Sequence, residues 1–217
     1  TAFDDLSLLR ALWSLFATVG KWTISFGQSK RRPMGVIHAG PLHTLHELDG
    51  RPVDENLYWF EPDYSGDHRL FDGNEIDRSD GKSKWDRIEG ERRSASRLMR
   101  RLPYRRDLES LLIRYVEALD KSNPNVAFLQ LWGVLEKLTD TVGANYDETI
   151  RRTIWTFSKR DSYRDRMKEI LQFLRHHRNR YVHSGSAGAE DEEMAIAIKQ
   201  FVDPHLFQLI RNDFRVE

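Results

Sequence analysis

The fold is decided by the stretch Leu174-Arg175-His176-His177-Arg178-Asn179-Arg180-Tyr181-Val182-His183-Ser184-Gly185. It continues an apolar stripe with the three- and four-residue spacing of an amphipathic helix, formed by Met167, Ile170, Leu171 and Leu174. Arg178 follows Leu174 by four residues, so the stripe places an arginine on the side of the helix that faces the core. Ser184-Gly185 is a pair that commonly ends a helix. The sequence therefore predicts a helix that carries Arg178 in its last buried turn and His183 at its end.

Arg178 and His183 are the two side chains of this stretch whose chemistry matters most. In an ideal helix, their separation of five residues gives about 140° of rotation and roughly 7.5 Å of rise. The side chains diverge, but arginine is long and a terminal turn can unwind, so both can reach one cleft at the helix end. A shuffled chain of this composition would contain about one Arg-x4-His pair by chance. The significance therefore lies in the context: an amphipathic helix before the pair, a polar Asn179 within it and a stop signal after it.

Two segments resemble one protein family. Arg178-Asn179-x-x-Val182-His183 resembles the Arg-x4–6-His motif of HEPN domains, in which a polar residue usually follows the arginine. Upstream, Ala127-Phe-Leu-Gln-Leu-Trp132-Gly-Val-Leu-Glu136-Lys-Leu-Thr is similar to the Trp-x-x-Leu-Glu helix of the Apea-like branch of that family. The resemblance covers roughly residues 104 to 213, about half of the chain. It implies an up-and-down bundle of four or five helices.

The resemblance also implies a function, because HEPN ribonucleases cut RNA without a metal and commonly pair two copies of the motif across a dimer. On this basis His183 is the acid or base, Arg178 clamps the phosphate or stabilises its transition state, and Asn179 orients them. Imidazole exchanges protons near neutral pH, and guanidinium binds phosphate oxygens as a fork. We therefore predict an endoribonuclease acting as a homodimer with a composite active site and, by analogy, a toxin or defence effector. The direction in which His183 moves the proton stays open.

The same residues also fit a purely structural role. Arg178 can pair with a buried acid such as Glu136, and His183 can cap a helix end, where cations are favoured. Glu136 is accordingly either a support for the site or an ordinary salt-bridged carboxylate, and Trp132 is expected to pack in the core.

Two other functions of the protein stay open. One is a non-catalytic HEPN module that binds protein or RNA, and the other is a sensor fragment whose N-terminal strands belong to an upstream ligand-recognition domain.

Basic residues surround the motif. Residues 150–183 contain ten Lys or Arg against three Asp or Glu, and residues 82–114 contain eleven against five. Such stripes can follow a phosphate backbone, so we predict RNA contacts for Arg175, His177 and Arg180, although an arginine-rich helix is commonly just a solvated face. His176 and His177 point to different sides of a helix, so at least one is expected to be solvated. The net charge is zero, so whole-protein electrostatics give no argument for nucleic acid.

The composition is that of a soluble globular protein, with 217 residues of which 39% are hydrophobic and 31% charged. The absence of cysteine excludes disulfides and thiolate metal sites and is compatible with a reducing compartment, so we expect a cytoplasmic location. The apolar stretch Leu6–Val19 follows two aspartates and contains Arg10, which fits neither a signal peptide nor a membrane span. Because the first residue is Thr1, we expect a fragment or processed chain, with a regulatory domain or protein partner upstream.

The chain divides into two parts. Residues 1–83 are predicted to be a small α/β portion and linker, the end of a larger truncated region, with a helix over residues 4–19, strands at 22–26, around 36–38 and at 57–60, and a loop over 61–83. Residues 84–217 are predicted to be a HEPN-like bundle, with helices over 94–101, 107–119, from 123, over 147–157, from 161 and over 190–214. Pro204 is predicted to kink or split the last helix. The fold class is therefore mainly α, an up-and-down helical bundle preceded by a small helix-plus-β-strand portion.

No cofactor and no metal are predicted. His43-x-x-His46-Glu47 is the nearest approach to a metal cluster, but zinc would need further ligands. The chain has neither a glycine-rich phosphate loop nor a nucleophile elbow, since Ser184-Gly185-Ser186-Ala187-Gly188 does not follow a strand.

Overall fold

The computed structural model describes residues 2–18, 42–43, 46–53, 59–60, 81–121, 123–141, 143, 145–156, 161–184 and 191–212. In chain order these residues form helix α1 (Ala2–Thr18), strands β1 (Leu42–His43) and β2 (Trp59–Phe60), and helices α2 (Gly81–Met99), α3 (Arg105–Leu119), α4 (Pro124–Leu138), α5 (Tyr146–Trp155), α6 (Asp161–Ser184) and α7 (Asp191–Asn212). The predicted mainly helical class is confirmed for these residues, and the helices pack as a bundle around one hydrophobic core. None of these helices has the length and apolarity needed to cross a membrane.

Helix α4 lies at the centre of the bundle and packs against α3, α5, α6 and α7. It begins where the sequence predicts, because Asn123 caps it by accepting a hydrogen bond from the backbone N–H of Asn125 at 2.9 Å, and Pro124 occupies the first turn. Its buried side chains are nearly all apolar: Ala127, Phe128, Leu131, Trp132, Val134, Leu135 and Leu138. Trp132 packs in the core as predicted, with 1% of its surface exposed.

Helix α1 belongs to the same core as the rest of the bundle. Leu12, Leu15 and Phe16 are buried, and the helix packs against α2 and α3. The buried guanidinium of Arg10 forms an ion pair with Asp120, which follows the last residue of α3. The sequence predicts this helix in a separate N-terminal portion. Its packing partners are distant in the chain, so local patterns do not reveal them. In the described part of the chain the bundle includes α1, and α2 begins at Gly81, before the predicted boundary at residue 84.

The predicted strands at residues 22–26 and 36–38 lie outside the described residues, as does most of the loop that follows residue 60. Strands β1 and β2 form a two-residue antiparallel ladder, with Leu42 opposite Phe60 and His43 opposite Trp59. Strand β2 coincides with the end of the aromatic strand predicted at residues 57–60. A ladder this short is not a sheet in its own right, so the described residues support only the helical part of the predicted class.

Helix α2 is longer than predicted. It spans Gly81–Met99, whereas the sequence predicts a short helix over residues 94–101. Its apolar face consists of the buried side chains of Ile88, Ala95 and Met99, with Trp85 half-buried beside them. Because these residues are sparse among lysines and arginines, their helical period is weak in the sequence.

Helices α5 and α6 form an antiparallel hairpin that carries the motif. Asp147 in the first turn of α5 forms an ion pair with Arg175 near the end of α6, with an N–O distance of 2.7 Å. Trp155 at the end of α5 lines a groove together with Arg164 near the start of α6. Helix α6 begins at Asp161, as predicted, and continues to Ser184. Its core side is the predicted one, with Met167, Leu171 and Leu174 buried.

Helix α7 passes through Pro204 as a single helix, so the predicted split does not occur. Proline lacks the N–H that would bond the carbonyl four residues earlier. Immediately beyond it, His205 Nδ1 donates a hydrogen bond to the carbonyl oxygen of Phe201 at 2.8 Å. Phe201, Val202 and Leu206 are fully buried around the proline, so packing against the rest of the bundle stabilises the helix on both sides of Pro204.

Candidate functional site

Arg178 is held in place by the start of α5. Its guanidinium carbon lies 4.8 Å from the centroid of the Tyr146 ring, which is cation–π geometry. Tyr146 packs edge-on against Trp132 of α4, with ring centroids 6.2 Å apart. Arg178 Nη1 also donates a long hydrogen bond of 3.4 Å to the side-chain oxygen of Asn179. The arginine is therefore oriented by an aromatic ring and an amide rather than by an opposite charge.

No carboxylate in the described part of the chain forms an ion pair with Arg178. If Arg178 had a purely structural role, Glu136 would be its expected partner. The Glu136 carboxylate instead accepts a hydrogen bond from Trp132 Nε1 at 2.9 Å. The Nε atom of Arg178 is buried and has no hydrogen-bond partner among the described residues. A buried donor without a partner destabilises a fold and calls for an explanation. The charge of the guanidinium, held by a ring and not neutralised by a carboxylate among the described residues, makes the end of α6 a candidate anion site.

His183 lies in the last turn of α6 and is exposed to solvent. Because α6 stays helical to Ser184, the terminal turn does not unwind, and His183 projects about 140° around the helix from Arg178 and about 7.5 Å further along it. The two side chains therefore do not contact each other. Asn179 projects between them, about 100° from Arg178 and about 40° from His183. A ligand placed over Asn179 would have both side chains at its flanks.

His177 is buried, with 4% of its surface exposed, in a polar cluster that joins α4, α6 and α7. Its Nε2 atom lies 3.2 Å from the side-chain oxygen of Asn125, and the Asn125 side-chain nitrogen donates a hydrogen bond to Asp191 at 2.5 Å. Arg180 donates to Nδ1 of His177 at 3.1 Å, so in the neutral ring the proton lies on Nε2. An RNA contact by His177, as the sequence predicts, would require this cluster to open. Nothing local in the sequence signals the cluster, since Asn125 and His177 are 52 residues apart.

The two arginines predicted to contact RNA have partners within the protein. Arg175 pairs with Asp147, whose side chain is 88% exposed. Arg180 is exposed, and its Nη2 atom binds His177. Exposed ion pairs contribute little to stability, so Arg175 can exchange Asp147 for a phosphate at small cost.

A groove of about 480 Å³ runs between α5 and α6 on the side of the bundle that also holds the Asp147–Arg175 pair. It is lined by Asp147, Ile150, Arg151, Ile154, Trp155, Arg164, Lys168 and Gln172. Trp155 is 69% exposed. The sequence predicts neither this exposure nor the contact of Tyr146 with Arg178, because aromatic residues in a helical segment commonly pack in the core.

The second basic stretch, on α2 and α3, is partly neutralised. Glu89 binds both Arg92 and Arg93, and the hydrogen bond from Arg92 holds the pKa of Glu89 well below its usual range. Arg105 pairs with Glu109 at 2.7 Å. Other arginines of this stretch are exposed and have no carboxylate partner among the described residues: Arg97, Arg100, Arg101 and Arg106. This surface is a solvated helix face with residual positive charge.

The segment containing His46 forms a tight turn. The backbone N–H of Gly50 donates to Glu47 at 2.9 Å, Gly50 has a φ of +86°, and His46 Nδ1 lies 3.0 Å from the Gly50 carbonyl oxygen. Across the residues that the structure describes, no group of three His, Asp or Glu side chains is placed to hold a metal ion.

Comparisons with known proteins identify no relative: no family model matches the chain, no curated protein is similar to it, and no solved structure matches its fold. The resemblance to HEPN domains thus depends on the segments around Trp132 and Arg178.

Proposed function

We propose that the protein is a metal-independent endoribonuclease of HEPN type that acts as a homodimer. The observation that carries the proposal is the state of Arg178. Its guanidinium is fixed against Tyr146, has no carboxylate partner among the described residues, and lies on the same helix end as the exposed imidazole of His183. A fixed cation and a titratable ring are the two groups that cleavage of RNA by its own 2′-hydroxyl requires.

The reaction uses the nucleophile that RNA carries. The 2′-oxygen forms a bond to the adjacent phosphorus, and the bond from that phosphorus to the 5′-oxygen of the next nucleotide breaks. The products are a 2′,3′-cyclic phosphate and a 5′-hydroxyl. One proton must leave the 2′-hydroxyl and another must reach the departing 5′-oxygen. A neutral imidazole does the first and a protonated one the second, so two copies of His183 brought together in a dimer can serve both steps.

Arg178 supplies positive charge where the transition state is most negative. The five-coordinate phosphorus carries added negative charge on its non-bridging oxygens, which guanidinium donors stabilise. Because Tyr146 and Asn179 orient Arg178 before RNA binds, little reorganisation is needed during the reaction. Glu136 acts indirectly by binding Trp132, against which Tyr146 packs.

The remaining roles follow from position. Arg175 and Arg180, close to Arg178 on α6, contact phosphates on either side of the cleaved one, with Arg175 leaving Asp147 to do so. His177 stays in its buried cluster and holds α6 against α4 and α7. The role of toxin or defence effector comes from the family resemblance and depends on the nuclease activity, whereas the proposed cytoplasmic location comes from the absence of cysteine.

The test is RNA cleavage by the purified full chain in excess chelator. Wild type should produce fragments with 2′,3′-cyclic phosphate and 5′-hydroxyl ends, identified by mass spectrometry, and His183→Ala and Arg178→Ala should each reduce them at least about 100-fold. His176→Ala is the matched control, since His176 is an exposed histidine of the same helix with no part in the site. It should cleave like wild type. Cleavage that survives in both site variants would contradict the proposal.

The alternative function is a HEPN module that binds without cutting. Arg178 and His183 of one chain do not contact each other, so cleavage requires a dimer that brings two motifs together. A dimer that keeps the two motifs apart would leave only binding. A folded dimeric wild type that binds RNA or protein but yields no cleaved ends under any of these conditions would identify such a module.

A further inference from the structure

The groove between α5 and α6 combines features that the cleavage chemistry does not use. Its floor is apolar, because Ile150 and Ile154 are only 4% and 8% exposed. Its lining includes three basic side chains, those of Arg151, Arg164 and Lys168. At one end Trp155 leaves 69% of its surface in solvent. A large ring kept this exposed beside cations indicates a ligand with both flat apolar groups and negative charge.

The positive charge of the groove is only partly neutralised. Lys168 has no carboxylate partner among the described residues. Arg151 pairs with Glu148, but its side chain remains 69% exposed. The acid in the lining, Asp147, is bound by Arg175. Because Glu148 is shared by Arg151 and Arg152, and Lys168 has no carboxylate partner among the described residues, the groove keeps a net positive charge at these positions.

The groove leads to the proposed active site. Arg164, Lys168 and Gln172 lie along one stripe of α6. At about 100° per residue, Asn179 projects only about 20° from the direction of Lys168. Arg178 projects about 80° to one side of that direction, and His183 projects about 60° to the other side. The distance along the helix from Lys168 to Asn179 is about 17 Å. A strand that follows this stripe therefore arrives between the two proposed catalytic side chains.

We propose that the α5–α6 groove binds single-stranded RNA, with one unpaired base stacked on Trp155 and backbone phosphates along Arg164 and Lys168. An aromatic platform next to a basic track is the arrangement by which proteins bind single strands. Stacking on Trp155 requires a base that has left its pairing partner, so a duplex cannot use this platform. The inference rests on the proposed function for what happens at the end of the groove, whereas the binding itself requires no cleavage.

Binding is measured by fluorescence anisotropy of a labelled twelve-nucleotide 2′-O-methyl RNA, which lacks the nucleophile and stays intact. Trp155→Ala in the full chain should weaken binding about ten-fold or more, the loss expected for one stacked base. Lys168→Glu should also weaken binding and should lower the slope of log Kd against log salt concentration by about one. Circular dichroism and thermal melting verify that each variant is folded.

Two variants on the same helix serve as matched controls. Phe173 is 48% exposed and projects about 140° away from Lys168, and Arg166 is exposed about 160° away. Phe173→Ala and Arg166→Glu should bind the probe like wild type. Equal losses in groove and control variants would show that RNA binding is not localised, and wild-type affinity in both groove variants would also overturn the inference.

The remaining outcomes separate this inference from the nuclease proposal. The same probe as a duplex should bind at least about ten-fold more weakly, and equal affinity would overturn the single-strand assignment. Binding with the expected variant effects, but no cleavage of all-ribose RNA, keeps the groove assignment and removes the nuclease. Cleavage with an unchanged KM in Trp155→Ala removes the groove assignment and keeps the nuclease. A folded wild type that binds no probe overturns the inference.

Discussion

Arg178 differs from other arginines of the bundle in what holds it. Arg10, Arg92 and Arg175 each bind a carboxylate, which neutralises their charge and reduces their attraction for another anion. The ring of Tyr146 orients Arg178 without neutralising it. At the scale of single residues, this contact orders the guanidinium and leaves its charge unneutralised, as the proposed phosphate-binding role requires.

Substitutions of Tyr146 separate the role of its ring from that of its hydroxyl. Tyr146→Phe keeps the ring and should cleave RNA at nearly the wild-type rate. Tyr146→Leu removes the cation–π contact and should lower kcat about two- to thirty-fold, with little change in KM. Steady-state assays with a defined RNA measure both constants. Equal losses of kcat in the two variants would show that the ring does not orient Arg178.

His205 should make the stability of the fold depend on pH. Burial lowers the pKa of His205 from 6.5 to about 4, against a smaller opposing effect of its hydrogen bond to the Phe201 carbonyl. Because the folded pKa lies below the unfolded one, the stabilisation is complete above pH 6.5 and is lost as the pH falls towards 4, by about 3 kcal/mol in all. Urea unfolding over this range should show the loss in wild type and a smaller one in His205→Leu. His176→Leu, at an exposed site, should follow wild type, and His205→Leu doing the same would contradict the burial of a neutral ring.

At the scale of secondary-structure elements, the sequence predicts those helices whose ends and faces are marked locally. Asn123 and Pro124 mark the start of α4, and the apolar stripe of α6 runs to its predicted end. Helix α2 is mostly missed because its apolar stripe is sparse. The place of α1 could not be predicted, since the ion pair that ties it to the bundle joins residues 110 positions apart.

The candidate site, like the helices, can be predicted from sequence only where its residues are close together in the chain. Arg178, Asn179 and His183 share one helix end, so a motif and the helical period are enough to place them. Tyr146 and Trp155 come from the neighbouring helix, and their relation to α6 depends on how α5 packs. Residue spacing along one helix carries no information about such contacts, so the aromatic partner of Arg178 and the groove appear only in three dimensions.

Asp203 of α7 contacts α3 through the Tyr115 hydroxyl and forms a buried charged pair with Lys199 of its own helix. It accepts hydrogen bonds from the Tyr115 hydroxyl at 2.7 Å and from Lys199, and burial raises the pKa of Tyr115 well above its usual value. Asp203→Ala leaves the Lys199 charge in the core and should lower the free energy of unfolding by about 3–5 kcal/mol. The double variant Lys199→Met/Asp203→Leu removes both charges and should lose much less. Denaturant titration measures each value.

The control for Asp203 is a solvent-exposed pair. Glu109→Ala breaks the Arg105–Glu109 ion pair and should lower the free energy of unfolding by less than about 1 kcal/mol. If Asp203→Ala costs no more than Glu109→Ala, the buried contacts of Asp203 with Lys199 and Tyr115 contribute no more to stability than an exposed ion pair.

At the scale of the whole molecule, a neutral chain still presents local fields. The chain has 34 basic and 34 acidic residues, yet the α5–α6 groove is basic while α7 begins with three acids, Asp191, Glu192 and Glu193. At physiological salt, charges act over about 8 Å, so the proposed RNA binding would depend on the local charge of the groove and not on the net charge of the chain. Zero net charge also leaves no overall repulsion against a second copy, which suits the proposed homodimer.

Val182 offers a test of that dimer. It precedes His183 and is 50% exposed, so a dimer that joins the two helix ends would bury it. Val182→Asp should shift the protein from dimer to the 25.6 kDa monomer in analytical ultracentrifugation and reduce RNA cleavage in parallel. Leu98→Asp, 37% exposed on α2, should stay dimeric and active. A monomer that cleaves as fast as wild type would rule out the composite site.

The joint action of Arg178 and His183 is tested most directly by a double-mutant cycle on the single-turnover rate of RNA cleavage in excess chelator. Arg178→Ala and His183→Ala should each lower the rate at least about 100-fold. Because groups that act as one unit are not additive, the double variant should be no slower than the slower single variant. If either single variant cleaves at the wild-type rate, or if the two losses multiply in the double variant, the two side chains do not act together and the central claim is contradicted.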